Sequence, residues 1–279
     1  MRKGRGLVVC VSNRREIARD QLEAILWSCR RSTVVMVTPG PETLGPERDE
    51  ENYSVVFSRL PQKKHLSGFM GNEGIADAIA RDVPFDSVLL LDDDCLPIGV
   101  GLDAFGVAAL ETEDADLFGV RDRVDYRPSW ETWRELFTFW LPEAAGWSPR
   151  AAGVFYPAVW LSRAFAFELA IRGLLVPPHA EKWGLWPDVY IGWMCAALGF
   201  RLGFRGGMGA AAEPPLYLDH AKRMENAPSP LILREDFLAY HSVRAVPAIS
   251  ETEIRRFYRE RRLFVDERSE TCENSKSIG

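Results

Sequence analysis

The sequence predicts an α/β domain in which a mainly parallel central sheet is flanked by helices. Two observations carry this prediction: apolar runs alternate with amphipathic stretches in the first third of the chain, and two of the runs end in turn or acidic residues, Thr38-Pro39-Gly40 and Asp92-Asp93-Asp94. With 279 residues, the chain can bury the core of a single large domain. Its 47% hydrophobic and 27% charged residues exclude collagen-like, coiled-coil and wholly disordered classes.

The first third is expected to run strand, helix, strand, loop, strand, helix, strand. Strands are predicted at 7–11, 33–37, 53–58 and 87–91, and helices at 16–30 and 74–82. An acidic, Pro-rich loop separates the second strand from the third. In such a sheet, ligands bind beyond the carboxyl ends of the strands.

The rest of the chain predicts further helices and short strands. Helices are expected at 130–141, after the cap Ser162 as far as Gly173, after Asp188 as far as Gly199, and after the capping box of Ser250 and Glu253. Short strands are expected at 200–204 and 215–218, and a polar tail from about residue 266.

Charge, cysteine content and hydropathy limit the function classes. Lys and Arg number 34 against 40 Asp and Glu, a net charge of −6, which disfavours nucleic-acid binding by a basic surface. The five cysteines are odd in number and form no Cys-x-x-Cys pair, so we expect neither a disulfide framework nor a zinc site, and a cytoplasmic location. No membrane span or signal peptide is predicted, because the apolar stretches are too short or are interrupted by charges.

Three consecutive aspartates, Asp92, Asp93 and Asp94, follow the strand predicted at 87–91. Neighbouring carboxylates repel one another unless a cation or solvent relieves them. Residues two apart on an extended chain point the same way, so Asp92 and Asp94 can face one site. Such oxygen ligands suit Mg²⁺ or Mn²⁺, whose coordination is usually completed by substrate phosphates. The triplet therefore predicts a diphosphate-bearing substrate, and a solvated acidic turn is the alternative.

Four segments of the chain resemble the GT-A glycosyltransferases, and within them family 2 of the nucleotide-sugar enzymes. They are LVVCVSNR at 7–14, GNEGIADAIA at 71–80, SVLLLDDDCLP at 87–97 and WPDVYIGWMCAALGFR at 186–201. The resemblance covers about residues 7–220 and implies a GT-A, Rossmann-like fold. It also implies a nucleotide-sugar half at 1–125, an acceptor half at 126–245, and a C-terminal helix with a tail at 246–279.

The resemblance also implies the ligands. The donor is expected to be a nucleotide-diphosphate sugar, with a UDP-sugar favoured, contacted by Ser12, Asn13, Arg14, Asn72, Asp92 and Asp93. The Asp-x-Asp motif would hold Mn²⁺ or Mg²⁺ through Asp92 and Asp94, with His220 as the third ligand and His241 as its rival.

Asp188 corresponds to the family's catalytic acidic residue. It lies near Trp183 and Trp186, and burial raises the pKa of a carboxyl group toward the range of a general base. Such a base would activate an acceptor hydroxyl for in-line attack, with inversion at the anomeric carbon. A helix cap is the alternative role of Asp188.

Other functions remain open at this point. The same fold and metal would serve a retaining transferase or a nucleotidyltransferase, although residues 11–15 lack the glycines expected of the latter. A non-catalytic module that binds a nucleotide or a glycan is a third reading. Thr38-Pro39-Gly40 stands where the family has an Asp that reads uracil, which leaves the base open. The acceptor is open among small molecules, glycans, peptides and, less favoured because of the net acidity, modified nucleic acid.

Overall fold

The computed structural model describes residues 5–13, 15–60, 67–93, 95–121, 154–177, 187–207, 216–217 and 238–240. In chain order these form β1 (Gly6–Val11), α1 (Arg15–Ser28), β2 (Ser32–Thr38), α2 (Pro41–Leu44), β3 (Arg48–Asp49), β4 (Tyr53–Phe57), α3 (Met70–Ala80), β5 (Ser87–Leu91), β6 (Leu96–Pro97), α4 (Leu102–Thr112), β7 (Leu117–Arg121), β8 (Val154–Ser162), α5 (Arg163–Ile171), α6 (Pro187–Ala197), β9 (Leu202–Gly207), β10 (Leu216–Tyr217) and β11 (Ala239–Tyr240).

The central sheet of the described residues has eight strands in the order β3-β4-β2-β1-β5-β8-β7-β9. Strands β4, β2, β1 and β5 run parallel, as do β7 and β9, whereas β8 is antiparallel to both of its neighbours. From β1 the chain proceeds to β2 and β4 on one side, and β5 then lies on the other side. The strand order therefore reverses between β1 and β5, and ligands of doubly wound sheets bind beside such a switch point.

Alternation of side chains along β1 builds two cores, one on each face of the sheet. Leu7, Val9 and Val11 pack into a layer with α3, α5 and α6. Val8 and Cys10 pack on the opposite face with α1 and α4. Because both faces are covered by helices, the strands are continuous apolar runs.

The α/β class predicted from the sequence, a mainly parallel sheet flanked by helices in one domain, is confirmed. The four strands and two helices expected in the first third are present, with ends that shift by a few residues. Helix α3 begins at Met70 rather than at Gly74. Glycines disfavour a helix in isolation, but Gly74 allows α3 to lie directly against Val9 and Val37.

Other parts of the chain differ from the sequence prediction. The loop expected after β2 contains α2 and β3, and α4, β7 and β8 were not predicted. The cap of α5 is confirmed, since the Phe165 N–H donates to Ser162 Oγ at 3.2 Å. Gly173 and Gly199 close their helices with φ of 66° and 78°, as expected.

Several predictions lie outside the described residues or stay untested. The helices expected at 130–141 and after Ser250, and the polar tail, fall outside them. The division of the chain at residues 125 and 245 stays a prediction. Of the helices that the structure describes, none combines the length and the apolarity needed to cross a bilayer.

Candidate functional site

Two buried polar atoms lie just beyond the carboxyl end of β1. Ser12 is fully buried, and its N–H donates to Val37 O at 2.9 Å. Neither Ser12 Oγ nor Asn13 Oδ1 has a hydrogen-bond partner among the described residues. A buried polar atom without a partner costs about 1–3 kcal/mol. Gln21 Oε1 and Trp160 Nε1 also lack a partner among the described residues, and Ser12 and Asn13 differ from Trp160 in lying beyond a strand end.

The first two aspartates of the triplet lie beside them, beyond the carboxyl end of β5. Cys10 of β1 pairs with Leu91 of β5, so the two strands end next to each other. Asp92 is half-buried and accepts the Asp93 N–H through Oδ1 at 2.8 Å, and Asp93 is buried. Burial raises the pKa of the Cys10 thiol well above its ordinary value, and the neighbouring Cys95, Asp92 and Asp93 raise this pKa further. The structure therefore brings Ser12, Asn13, Asp92 and Asp93 together at the switch point.

Hydroxyl groups at the ends of β2 and β4 have partners within the protein. Thr38 Oγ1 donates to Gly40 O at 3.3 Å. The Ser58 hydroxyl donates to Glu73 Oε2, and the Arg59 N–H donates to Glu73 Oε1 at 3.1 Å. Among the described residues, these side chains therefore bond within the protein, unlike Ser12 Oγ and Asn13 Oδ1 at the end of β1.

Asn72, predicted to contact the donor, lies in α3 and is almost fully buried. Its Nδ2 donates to Leu175 O at 2.6 Å. The preceding carbonyl, Leu174 O, accepts the Tyr190 hydroxyl at 2.7 Å. Asn72 therefore links α3 to the segment after α5, and its contact with the donor stays a prediction.

Asp188 lies in the first turn of α6, as the second residue of the helix, and is half-buried. A carboxylate in this turn interacts favourably with the helix dipole. Two contacts fix the turn. Gly68 packs so closely on Pro187 that a Cβ added to Gly68 would lie 2.9 Å from Pro187 Cγ. The rings of Phe69 and Tyr190 pack edge to face, with their centroids 5.5 Å apart.

These contacts place Asp188 on the same edge of the sheet as Asp92 and Asp93. Helix α3 leads from β4 to β5, which are both parallel to β1, so α3 starts at the carboxyl edge. Gly68 and Phe69 immediately precede α3, and the first turn of α6 packs on them. The role of Asp188 as a base stays a prediction, but its location fits one.

The predicted metal ligands are only partly described. Asp92 is described, whereas Asp94, His220, the rival His241 and the predicted donor contact Arg14 lie outside the described residues. Within the part that the structure describes, no group of three or more His, Cys, Asp or Glu side chains is placed to hold a metal.

A small second sheet braces the chain after the triplet. β6 pairs antiparallel with β11, so that Leu96 lies opposite Tyr240, and the Ile98 N–H donates to Leu238 O at 2.8 Å. The last pair of this small sheet is Leu96 with Tyr240. In the sequence, Asp94 precedes Leu96 by two residues and His241 follows Tyr240 directly. The pairing is a reason to test His241 beside His220.

Gln21 is the residue of this region that the sequence prediction missed. It lies on the buried face of α1, and its Nε2 donates to Asp92 O at 2.8 Å and to Cys95 O at 3.1 Å. The available signal was an amide four residues before Ile25, on a face that also carries the apolar Leu22.

Comparisons with known proteins give a distant match. No family model and no curated protein matches the chain. Among solved structures, the chain is similar to the mannosyltransferase PcManGT from Pyrobaculum calidifontis in complex with GDP-Man and Mn²⁺, with 14% sequence identity and a TM-score of 0.43. The match covers 72% of this chain, and this chain spans about half, 54%, of the mannosyltransferase chain.

Proposed function

We propose that the protein is a metal-dependent glycosyltransferase that moves a sugar from a nucleotide-diphosphate sugar to an acceptor hydroxyl. The observation that carries this proposal is the pair of buried atoms without partners, Ser12 Oγ and Asn13 Oδ1, beside Asp92 and Asp93 at the switch point. A UDP-sugar is the favoured donor, and inversion is the favoured outcome.

The chemistry of the two strand ends fits the two parts of such a donor. A hydroxyl and an amide hydrogen-bond the neutral base or ribose of a nucleotide. Carboxylates repel a diphosphate unless a divalent cation lies between them, and carboxylate oxygens are suitable ligands for Mg²⁺ and Mn²⁺. Asp92, Asp94 and His220 are proposed to hold the ion, which would supply positive charge opposite the departing nucleoside diphosphate.

The proposed base is Asp188. In the reaction, the acceptor oxygen bonds to the anomeric carbon, the bond from that carbon to the phosphate oxygen breaks, and the acceptor proton passes to the Asp188 carboxylate. A base must be held in place to act, and Pro187 and Tyr190 fix the first turn of α6 against Gly68 and Phe69.

Other reaction classes make different products from the same site. A retaining transferase would give the opposite anomer, and a nucleotidyltransferase would release pyrophosphate. A non-catalytic module would bind the nucleotide without turnover, and a change at Asp188 would leave its function intact.

The proposal is tested by a thermal-shift panel of UDP-, GDP-, dTDP- and CMP-sugars, with and without Mn²⁺. We expect one nucleotide class to raise the melting temperature of the wild-type protein by about 5 °C or more, and only with the metal. The variants Asp92→Asn and Asp94→Ala are expected to lose this shift.

Asp116→Asn is the matched control, because Asp116 lies at the opposite, amino edge of the sheet and binds Ser162 Oγ at 2.9 Å. It is expected to lower the melting temperature and to keep the ligand shift. Equal shifts without metal, or in Asp92→Asn, would contradict the metal assignment. No shift with any nucleotide sugar would contradict the proposed function.

A further inference from the structure

We infer that Gln21 is a positioning residue, which fixes the main chain at Asp92 and at Cys95 before metal and donor bind. This inference rests on the proposed function, because it assigns a purpose to the shape of that same site. Gln21 lies in α1 and carries an amide, so it is not one of the proposed metal ligands.

One nitrogen atom of Gln21 holds both ends of the turn. An amide NH₂ carries two hydrogens, and those of Gln21 are directed at the carbonyls of Asp92 and Cys95, at 2.8 and 3.1 Å. Asp92 O also accepts the Cys95 N–H at 3.2 Å, which closes the turn. The two carbonyls bracket Asp93 and Asp94, so the amide fixes the path of the chain on both sides of these residues.

The helix that carries Gln21 is packed into the core. Leu22 and Ile25 of the same helix are buried in the core with Val8 and Cys10 of β1. Gln21 itself is 2% exposed. Because the side chain is held by the core, its hydrogen bonds anchor the turn to the core.

A carboxylate-rich turn needs such a restraint in the absence of a cation. Carboxylates on adjacent residues repel one another, and this repulsion favours an open, spread loop. Two hydrogen bonds from a buried amide oppose this spreading. The entropy of the turn is therefore lost during folding and not when the metal binds. Glutamate could not replace Gln21, since an ionised carboxylate accepts hydrogen bonds and has none to donate to a carbonyl.

Ser28 provides a matched control on the same helix. It lies two helical turns after Gln21 and is 1% exposed, and its Oγ donates to Gly99 O at 2.5 Å. It therefore holds the same segment by the same kind of bond, but beyond the acidic turn. A variant of Ser28 loses stability without loosening the turn 92–95.

The experiment compares Gln21→Met, Gln21→Asn and Ser28→Ala with the wild-type protein. Methionine has a similar length and no donor, and asparagine keeps the amide but is one methylene too short. Two readouts are used: hydrogen exchange of the peptide that covers residues 92–97 in the metal-free protein, and Mn²⁺ affinity by calorimetry in the presence of UDP or GDP.

Both Gln21 variants are expected to exchange this peptide about 10-fold faster and to bind Mn²⁺ about 10-fold more weakly, since each lost bond contributes a few-fold. Ser28→Ala is expected to lower the melting temperature and to leave both readouts unchanged. Unchanged exchange and affinity in the Gln21 variants, or equal changes in Ser28→Ala, would overturn the inference.

The two proposals fail in different ways. If the wild-type protein binds no Mn²⁺ with either nucleotide, the proposed function fails, and the metal half of this inference fails with it. Faster exchange confined to the Gln21 variants would then still establish that the amide holds the turn. If the wild-type protein binds Mn²⁺ and the Gln21 variants bind it equally well, only this inference fails.

Discussion

The two edges of the central sheet use similar polar side chains in different ways. At the amino edge, aspartates lie next to the strand starts, and each accepts a hydrogen bond from another element. The pairs are Asp86 with the Arg5 N–H at 3.0 Å, Asp103 with Ser32 Oγ at 2.5 Å, and Asp116 with Ser162 Oγ at 2.9 Å and the Arg201 N–H at 3.2 Å. These bonds join β1 to β5, β2 to α4, and β7 to β8 and β9.

At the carboxyl edge, the polar side chains at β1 are not used in this way. Ser12 Oγ and Asn13 Oδ1 are buried and have no partner among the described residues, although aspartates follow the adjacent strand. The comparison shows that the aspartates of the amino edge bond to other elements, whereas two side-chain atoms beyond β1 at the carboxyl edge have no partner among the described residues. Under the proposed function, these two atoms contact the donor. Changes at the two edges should therefore affect different measurements.

The largest expected effect is that of Asp188→Asn at the carboxyl edge. This change keeps the shape of the side chain and removes its ability to accept a proton, so turnover should fall by about 10²- to 10⁴-fold. Donor affinity and melting temperature should stay near the wild-type values. The measurement is steady-state product formation with the donor class found in the thermal-shift panel, and near-normal turnover would leave Asp188 as a structural residue of the helix.

Alanine variants of two serines, one at each edge, should change the melting temperature by a smaller amount and in opposite directions. Ser12→Ala removes a buried hydroxyl without a partner, so it should raise the melting temperature of the ligand-free protein by about 2 °C and weaken donor binding several-fold. Ser32→Ala removes the bond to Asp103, so it should lower the melting temperature and leave donor binding unchanged.

Calorimetric unfolding and donor titration of both serine variants provide the measurement. If Ser12→Ala destabilised the protein as much as Ser32→Ala, the hydroxyl at β1 would have a structural partner, and the distinction between the edges would be lost.

The smallest expected effect concerns three buried thiols, of which Cys10 lies beneath the carboxyl edge, beside Asp92 and Asp93, whereas Cys29 and Cys195 lie beside Asp103 and Asp116 of the amino edge. Burial raises the pKa of Cys10, and it also raises those of Cys29 and Cys195. A raised thiol pKa means that the folded state keeps its proton above the ordinary thiol pKa of about 8.5, where the unfolded state loses it. The stability from these groups is therefore complete below that pH and is lost as the pH rises from there toward the raised pKa.

We therefore expect the melting temperature to fall modestly from pH 8 to pH 10, and native Cys10 to be inert to a thiol reagent at pH 8. A Cys272→Ser background removes the cysteine outside the described residues, and Cys195 serves as the internal control. Modification of Cys10 ahead of Cys195 would show that the carboxyl edge opens to solvent.

The sequence is sufficient to predict the part of the fold built from uniform signals. The strands at 7–11 and 87–91 are continuous apolar runs that end in polar residues, and both are present as β1 and β5. Strand β8 was missed because Pro157 lies within its apolar run, and a proline argues against the interior of a strand. Helix α4 contains Gly106, which looks unfavourable in sequence but is required because a Cβ there would clash with the Trp160 ring.

Some residues of the candidate site can likewise be predicted from the sequence, and others cannot. Its location beyond β1 and β5 follows from the strand pattern, and so do Ser12 and Asp92. Gln21 could not be identified, because a sequence does not show which loop the buried face of a helix will contact. The bond from Asn72 to Leu175 likewise depends on where two distant segments meet.

The pairing of β6 with β11 has a consequence for how the site is completed during synthesis. Residues 238–240 leave the ribosome long after the aspartate triplet, yet Leu238 O receives the N–H groups of Ile98 and Gly99 at 2.8 and 3.2 Å. Until that late segment arrives, the bonds from α1 are the ones among the described contacts that can hold the acidic turn of a nascent chain. The order of translation thus delays the full bracing of this segment until most of the polypeptide has emerged.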